Sequence, residues 1–149
     1  MSDIKQLISI IFPVFNESES ISSLLDEVIH VMSVHKFNFE LIVVNDGSKD
    51  NTHQVLKQLT LKIKELSVIS LRKNYGQTAA MSAGFDNSKG DIIITLDGDL
   101  QNDPNDIPTL ISEINNGISF GSFCKSPSKV MIISPLELSK PADIAAVCP

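Results

Sequence analysis

The 149-residue sequence has no tryptophan and a single tyrosine, and its 12 Lys and Arg are outnumbered by 18 Asp and Glu, giving a formal net charge of −6. A general nucleic-acid binder needs a basic stripe and aromatic faces on which bases stack, so no nucleic-acid partner is expected. Cysteine is scarce as well. Cys124 and Cys148 both fall in the last quarter and have no metal-ligand spacing. A reducing, cytoplasmic setting is therefore expected rather than a disulfide framework. The opening MSDIKQL lacks a basic segment followed by an apolar one, so it does not read as a secretory leader. No uninterrupted apolar run reaches the roughly 18 residues needed to cross a bilayer.

What remains is ordinary for one globular domain: 42% apolar and 20% charged residues. Strand and helix patterns alternate. Leu7 to Val14 reads as a buried strand ending near Pro13, followed by a helix with Ile21, Leu24, Leu25, Val28, Ile29 and Met32 on one stripe. Phe39 to Val44 is a second strand, and Val55, Leu56, Leu59 and Ile63 mark a second helix. Ser67 to Leu71 is a third strand, Tyr75 to Phe85 contains a helix of small residues, and Asp91 to Leu96 is a fourth strand. A last helix is expected to start at Asp103-Pro104, with the stripe Ile107, Leu110, Ile111 and Ile114, and to stop at Gly117.

Strands apolar on both faces, separated by amphipathic helices, predict an α/β fold with a mostly parallel sheet flanked by helices. Right-handed crossovers bring the C-terminal ends of parallel strands to one edge, where such sheets bind ligands. Four polar clusters follow the strands: Asn16-Glu17, Asn45-Asp46-Gly47-Ser48, Arg72-Lys73-Asn74 and Asp97-Gly98-Asp99. All four are expected on one rim.

Asp97 and Asp99 stand two apart on a turn leaving a buried strand. Such a pair can share a hard divalent cation, or divide the work between cation and ligand; alone, it is also what a solvated acidic turn looks like. Gly98 keeps bulk out of the turn. Asp46 is the member of VVNDGSKDN expected to meet a ligand, while Ser48 or Asp50 can cap the next helix. Glu17 reads equally as a ligand contact or as a first-turn helix acid. Arg72 and Lys73 can balance phosphate charge or lie on the surface, and His30, His35 and His53 are expected to be plain surface residues.

Four segments, IIFPVFNE (10–17), ELIVVNDGSKDNT (40–52), LRKNYGQTAAMSAGF (71–85) and GDIIITLDGDLQNDP (90–104), resemble in order and spacing the N-terminal half of a family-2 glycosyltransferase. The fold this implies is GT-A, the Rossmann-like nucleotide-diphospho-sugar transferase architecture. The wording LQNDP is similar to the dolichyl- and undecaprenyl-phosphate sugar transferases. The resemblance implies that Pro13, Phe15 and Glu17 frame the base and ribose of a UDP- or GDP-linked sugar, with Val44 and Asp46 completing that pocket. Phe15 stands where many relatives carry Tyr. It further implies Asp97 and Asp99 as the catalytic pair, Asp97 and Gly98 against the nucleotide-sugar, and Asp99 with Gln101 as ligands of Mg²⁺ or Mn²⁺. The acceptor implied is a lipid phosphate, the location the cytoplasmic face of a membrane, and the mechanism single displacement with inversion.

The resemblance runs over residues 7–117. From Ile118 onward the chain holds four of its seven prolines and six serines, with one short apolar patch, Val130 to Ile133. Two units are expected: a nucleotide-sugar-binding part at 1–117, and a divergent tail at 118–149 of the kind a truncated or frame-shifted, incomplete transferase would carry. A non-catalytic remnant that at most binds nucleotide-sugar is the alternative. A haloacid-dehalogenase-like phosphotransfer domain is more distant, because its acidic pair follows the first strand and here the pair follows the fourth.

Overall fold

In a computed structural model of the chain, the structure describes residues 6–100, 102–116 and, for the backbone alone, 129–132. Five strands, β1 (Leu7–Val14), β2 (Asn38–Asn45), β3 (Leu66–Ser70), β4 (Ile92–Thr95) and β5 (Lys129–Ile132), form one sheet in the order β3-β2-β1-β4-β5. Every pairing in it is parallel. The described helices are α1 (Ile21–Val34), α2 (Thr52–Thr60), α3 (Gln77–Asn87) and α4 (Ile107–Asn115), the last entered through a 3-10 turn at Pro104–Asp106.

The sheet is covered on both faces, which is why its strands are apolar at nearly every position rather than at alternate ones. Along β1, Ile8, Ile10, Phe12 and Val14 pack with Leu24 and Leu25 of α1, Leu56 of α2 and Leu110 of α4. Ile11 points the other way, joining Ile42, Val44, Ile93, Ala80 and Phe85 beneath α3. Gly84 lets α3 approach β1 closely, since a Cβ there would overlap the Ile11 side chain. The stripes of α1 and α4 are buried as the sequence predicts, except that Val31 is buried in α1 and Ile29 only partly.

The strand order reverses at β1: the chain builds outward to β2 and β3, then crosses back to place β4 and β5 on the other side. At such a reversal two neighbouring strands send their following loops in opposite directions and leave a crevice between them. Asn16-Glu17 leaves β1 and Asp97-Gly98-Asp99 follows β4, so two of the four polar clusters flank that crevice.

Two features differ from the sequence reading. β5 lies beyond residue 117, in a stretch whose sequence carries no strand-helix rhythm, and pairs Ile92–Thr95 with Lys129–Ile132. The last helix begins at Ile107, not at Pro104. Pro108 explains the delay: it has no N–H to give the Pro104 carbonyl, and its ring clashes with an α-helical carbonyl four residues back. The Pro104 carbonyl instead accepts from Ile107 N, closing the tighter turn. Among the described residues no helix is long and apolar enough to cross a membrane.

Candidate functional site

A cleft of about 440 Å³ opens at the C-terminal edge of the sheet, over the β1–β4 crevice, with Pro13, Phe15, Glu17, Asp97, Gly98 and Asp99 in its lining. Asp46, Asn74, Gly76, Gln77 and Ala80 close it on the α3 side. Its size suits a small polar ligand.

The loop after β1 is held by the loop after β2. Asn16 N donates to Ser48 Oγ at 2.9 Å, and Lys49 N returns a bond to Asn16 Oδ1 at 2.8 Å. Asn16 adopts a left-handed φ of 55°, a conformation asparagine tolerates better than most residues. Glu17 N donates to Thr52 Oγ1 at 2.9 Å, and Ser18 N donates to Asp50 Oδ2 at 3.3 Å. Thr52, fully buried, gives its own hydroxyl proton and its N–H to Asp50 Oδ1. These bonds stabilise the ionised form of Asp50, with the Thr52 hydroxyl first among them, and hold its carboxyl down to about 2. The polar residues of DGSKDNT that looked like helix caps therefore brace the Phe15–Ser18 backbone.

Asp46 faces the opposite wall. It is buried, and its two carboxylate oxygens accept from Tyr75 N at 2.8 Å and Gly76 N at 2.9 Å. Gly47, with φ of 68°, sits where any Cβ would strike the Lys73 backbone. The β2 loop thus grips the loop before α3 on one side and the β1 loop on the other.

On the β4 side, Asp97 is half-buried and accepts from Gln77 Nε2 at 2.9 Å through Oδ1. Burial pushes its carboxyl up, and the negative charge of Asp99 adds to that; the Gln77 amide acts in the other direction. Asp99 is exposed at the cleft mouth. Gly98 is required by close approach, since a Cβ would lie 2.7 Å from Val14 Cγ1 and 3.4 Å from Glu17 Cγ. Leu100, next in the chain, takes a φ of 63° and is 45% exposed. Asp103 has a separate duty: its Oδ1 accepts from Asn105 N at 2.9 Å, capping the 3-10 turn, and that bond lowers its carboxyl.

Of the residues expected at the site, Pro13, Phe15, Glu17, Asp46, Asp97, Gly98 and Asp99 come together in the cleft lining. Val44 does not. It is fully buried with Ile11 and Ala80, beneath the cleft. Gln101 lies outside the described residues. Arg72 and Lys73 are exposed and absent from the lining, with Lys73 Nζ 5.1 Å from the Tyr75 ring centroid. His30, His35 and His53 are exposed. Asn74 belongs to the third polar cluster expected on the rim, whereas Gly76, Gln77 and Ala80 were not expected in the lining; their only signal was the run from the third strand into a small-residue helix.

A parallel α/β sheet with an acidic cleft at its topological reversal places the chain in the class of open α/β proteins that bind ligands at that point. Within that class the chain belongs to glycosyl transferase family 2, whose sequence profile matches residues 9–131. That match reaches into β5. The chain is 44% identical over 108 residues to the dodecaprenyl-phosphate galacturonate synthase of Rhizobium johnstonii, covering 72% of this chain and 32% of the relative. It is 39% identical over 120 residues to the undecaprenyl-phosphate 4-deoxy-4-formamido-L-arabinose transferase of Edwardsiella ictaluri, covering 78% of this chain and 37% of that protein. The chain thus spans about a third of the length of these curated relatives. Among solved structures, the mannosyltransferase PcManGT from Pyrobaculum calidifontis, in complex with GDP-Man and Mn²⁺, superposes with a TM-score of 0.66 at 19% identity, covering 84% of this chain and 37% of that one. Glucosyl-3-phosphoglycerate synthase from Mycobacterium tuberculosis, with Mn²⁺, UDP and phosphoglyceric acid, gives 0.61 at 22% identity, covering 81% and 44%. The fold is that of the GT-A glycosyltransferases.

Proposed function

We propose that the chain forms the donor-binding part of an inverting glycosyltransferase that moves a sugar from a UDP- or GDP-linked donor to a polyprenyl phosphate. The observation that carries this reading is the Asp97-Gly98-Asp99 turn, placed after β4 at the sheet reversal and sharing the cleft lining with Glu17. The curated relatives named above support the acceptor class, and the two solved structures support a nucleotide-linked donor. In this reading Pro13 and Phe15 frame the base, Glu17 accepts from ribose hydroxyls, and Asp46 completes the pocket by fixing the Tyr75-Gly76 backbone. Val44 supports the pocket from beneath by packing with Ala80.

The acidic turn fits a divalent metal. The negative charge of Asp99 adds to the cost of ionising Asp97, which a bound cation would relieve. Among the described residues no group of three or more His, Cys, Asp or Glu side chains converges. An acidic pair on a turn would suit Mg²⁺ or Mn²⁺, which keep water and substrate phosphates among their ligands. Asp99 and Gln101 are the residues that would hold it. When bound, the metal offsets negative charge on the departing diphosphate.

The protein's own groups then orient the donor. Asp97, held by Gln77 through one oxygen, presents the other towards the sugar, and Gly98 admits the diphosphate close to the backbone. A phosphate oxygen of the acceptor forms the new bond at the anomeric carbon as the bond to the nucleoside diphosphate breaks, which inverts that carbon. The acceptor oxygen is already ionised near neutral pH, so no protein base has to remove a proton. A lipid acceptor places the reaction at a membrane surface, on the cytoplasmic side where nucleotide-sugars are made.

The experiment is titration calorimetry with UDP- and GDP-sugars in Mn²⁺. Asp99→Ala is expected to weaken donor binding about tenfold or more, the scale of one charge-assisted ligand interaction. Unchanged affinity in that variant removes Asp99 from the site. A transfer assay with polyprenyl phosphate separates an active transferase from the second reading, a donor-binding remnant.

A further inference from the structure

Ser20 occupies the N-cap position of α1, where a serine hydroxyl ordinarily accepts from a first-turn backbone amide. It makes no such bond. Its hydroxyl oxygen lies instead 2.7 Å from Glu17 Oε2 and 2.8 Å from the carbonyl oxygen of Gly98. The first contact is local, but the second crosses the β1–β4 crevice to a residue 78 positions away. Both partners line the cleft. A residue type suited to capping its own helix is here used to join the two sides of the cleft.

The proton count sharpens this. A hydroxyl has one hydrogen, and both a carboxylate and a peptide carbonyl need it as acceptors. With the cleft empty, the carboxylate competes for that hydrogen. A ligand hydroxyl that donates to Glu17 would weaken the carboxylate's pull on that hydrogen and shift it towards the Gly98 carbonyl. The Gly98 peptide carries Asp97 on one side and Asp99 on the other, so its anchoring fixes the acidic pair.

We propose that Ser20 is a positioning residue that couples the Glu17 side of the cleft to the Asp97-Gly98-Asp99 turn, so that nucleoside and metal strengthen each other's binding. The inference rests on the reading of Glu17 as a nucleoside contact and Asp99 as a metal ligand. Coupling of this kind is reciprocal: whatever the metal gains from the nucleoside, the nucleoside gains from the metal.

The test measures UDP and GDP affinity by calorimetry, with Mn²⁺ and with chelator, in the wild type, Ser20→Ala and Ser20→Thr. The readout is the factor by which Mn²⁺ strengthens binding. It is expected to fall about tenfold in Ser20→Ala, the effect of one hydrogen bond to a charged site. Ser20→Thr, which keeps the hydroxyl, should restore it to within about threefold. Thermal scans confirm that each variant is folded. A merely structural serine would lower affinity equally in both conditions; an unchanged metal factor in Ser20→Ala overturns the proposal, as does a threonine variant that behaves like alanine. A wild type that binds neither nucleotide, or binds without regard to Mn²⁺, overturns the donor-site reading and this inference with it.

Discussion

Replacing Thr52 with valine removes one hydroxyl and keeps the shape of the side chain, at a position with no solvent exposure. That hydroxyl accepts from Glu17 N at 2.9 Å and donates to Asp50 Oδ1. In Thr52→Val, the partly buried Glu17 amide loses its acceptor, and a stranded donor costs about 1–3 kcal/mol. Asp50 is at the surface, where water replaces what it loses, so the Glu17 amide dominates. For a chain of this size each kcal/mol is worth about 2–4 °C in Tm, so the variant should melt roughly 2–12 °C lower. Thr52→Ser retains both bonds and gives up one methyl group, at a cost of about 0.8 kcal/mol. Circular dichroism melts of the three proteins decide the matter. Valine should be clearly worse than serine, and nucleotide affinity should fall with it because the Phe15–Ser18 backbone loses a brace. A valine variant as stable as the serine variant refutes the argument that this hydroxyl holds the β1 loop.

Two further outcomes follow from the carboxylates. The Asp50 carboxyl is held at about 2, below its ordinary 3.8, so its bonds stabilise the fold above pH 3.8 and that contribution is lost as pH falls towards 2. Asp50→Ala should therefore melt lower than wild type at pH 6, with the gap closing between pH 3.8 and 2; a gap independent of pH would show that ionised Asp50 is not what braces the loop. Asp97 has the opposite sign. Its carboxyl is raised, so the ionised form opposes folding at neutral pH, and this penalty fades as pH falls through the raised value towards 3.8. In metal-free protein, Asp97→Asn, which keeps the oxygen that accepts from Gln77, should raise Tm at pH 7 and lose that advantage near pH 4, while donor binding is impaired. Melting scans across this range check the sign, and an asparagine variant that melts lower at pH 7 contradicts it.

Much of this was legible in the sequence, for identifiable reasons. The strands around Ile10, Val43 and Ile94 are apolar on both faces, and only a parallel sheet covered twice accounts for that. Parallel strands place their C-terminal ends together, so the acidic turn, Asp46 and Glu17 could be assigned to one rim. β5 was not legible: four residues in a serine- and proline-rich stretch offer no periodicity to detect. The start of α4 depended on Pro108 lying four residues after Pro104, a backbone clash that a capping pattern does not reveal. Val44 was expected to face the ligand, yet it packs with Ile11 and Ala80 below it. Ser48 and Asp50 looked like local caps because their partners, Asn16 and Ser18, each lie 32 residues away. Gln77 was hidden for the same reason, since its partner Asp97 is 20 residues distant.

The central claim is that the cleft takes a nucleoside diphosphate sugar through a metal held at the acidic turn. Its most direct test is calorimetric titration of the wild-type chain with UDP- and GDP-sugars, once in Mn²⁺ and once in excess chelator. Binding of at least one donor in Mn²⁺ and its loss in chelator is the result expected here. Equal affinity in the two conditions, or no binding in either, contradicts it.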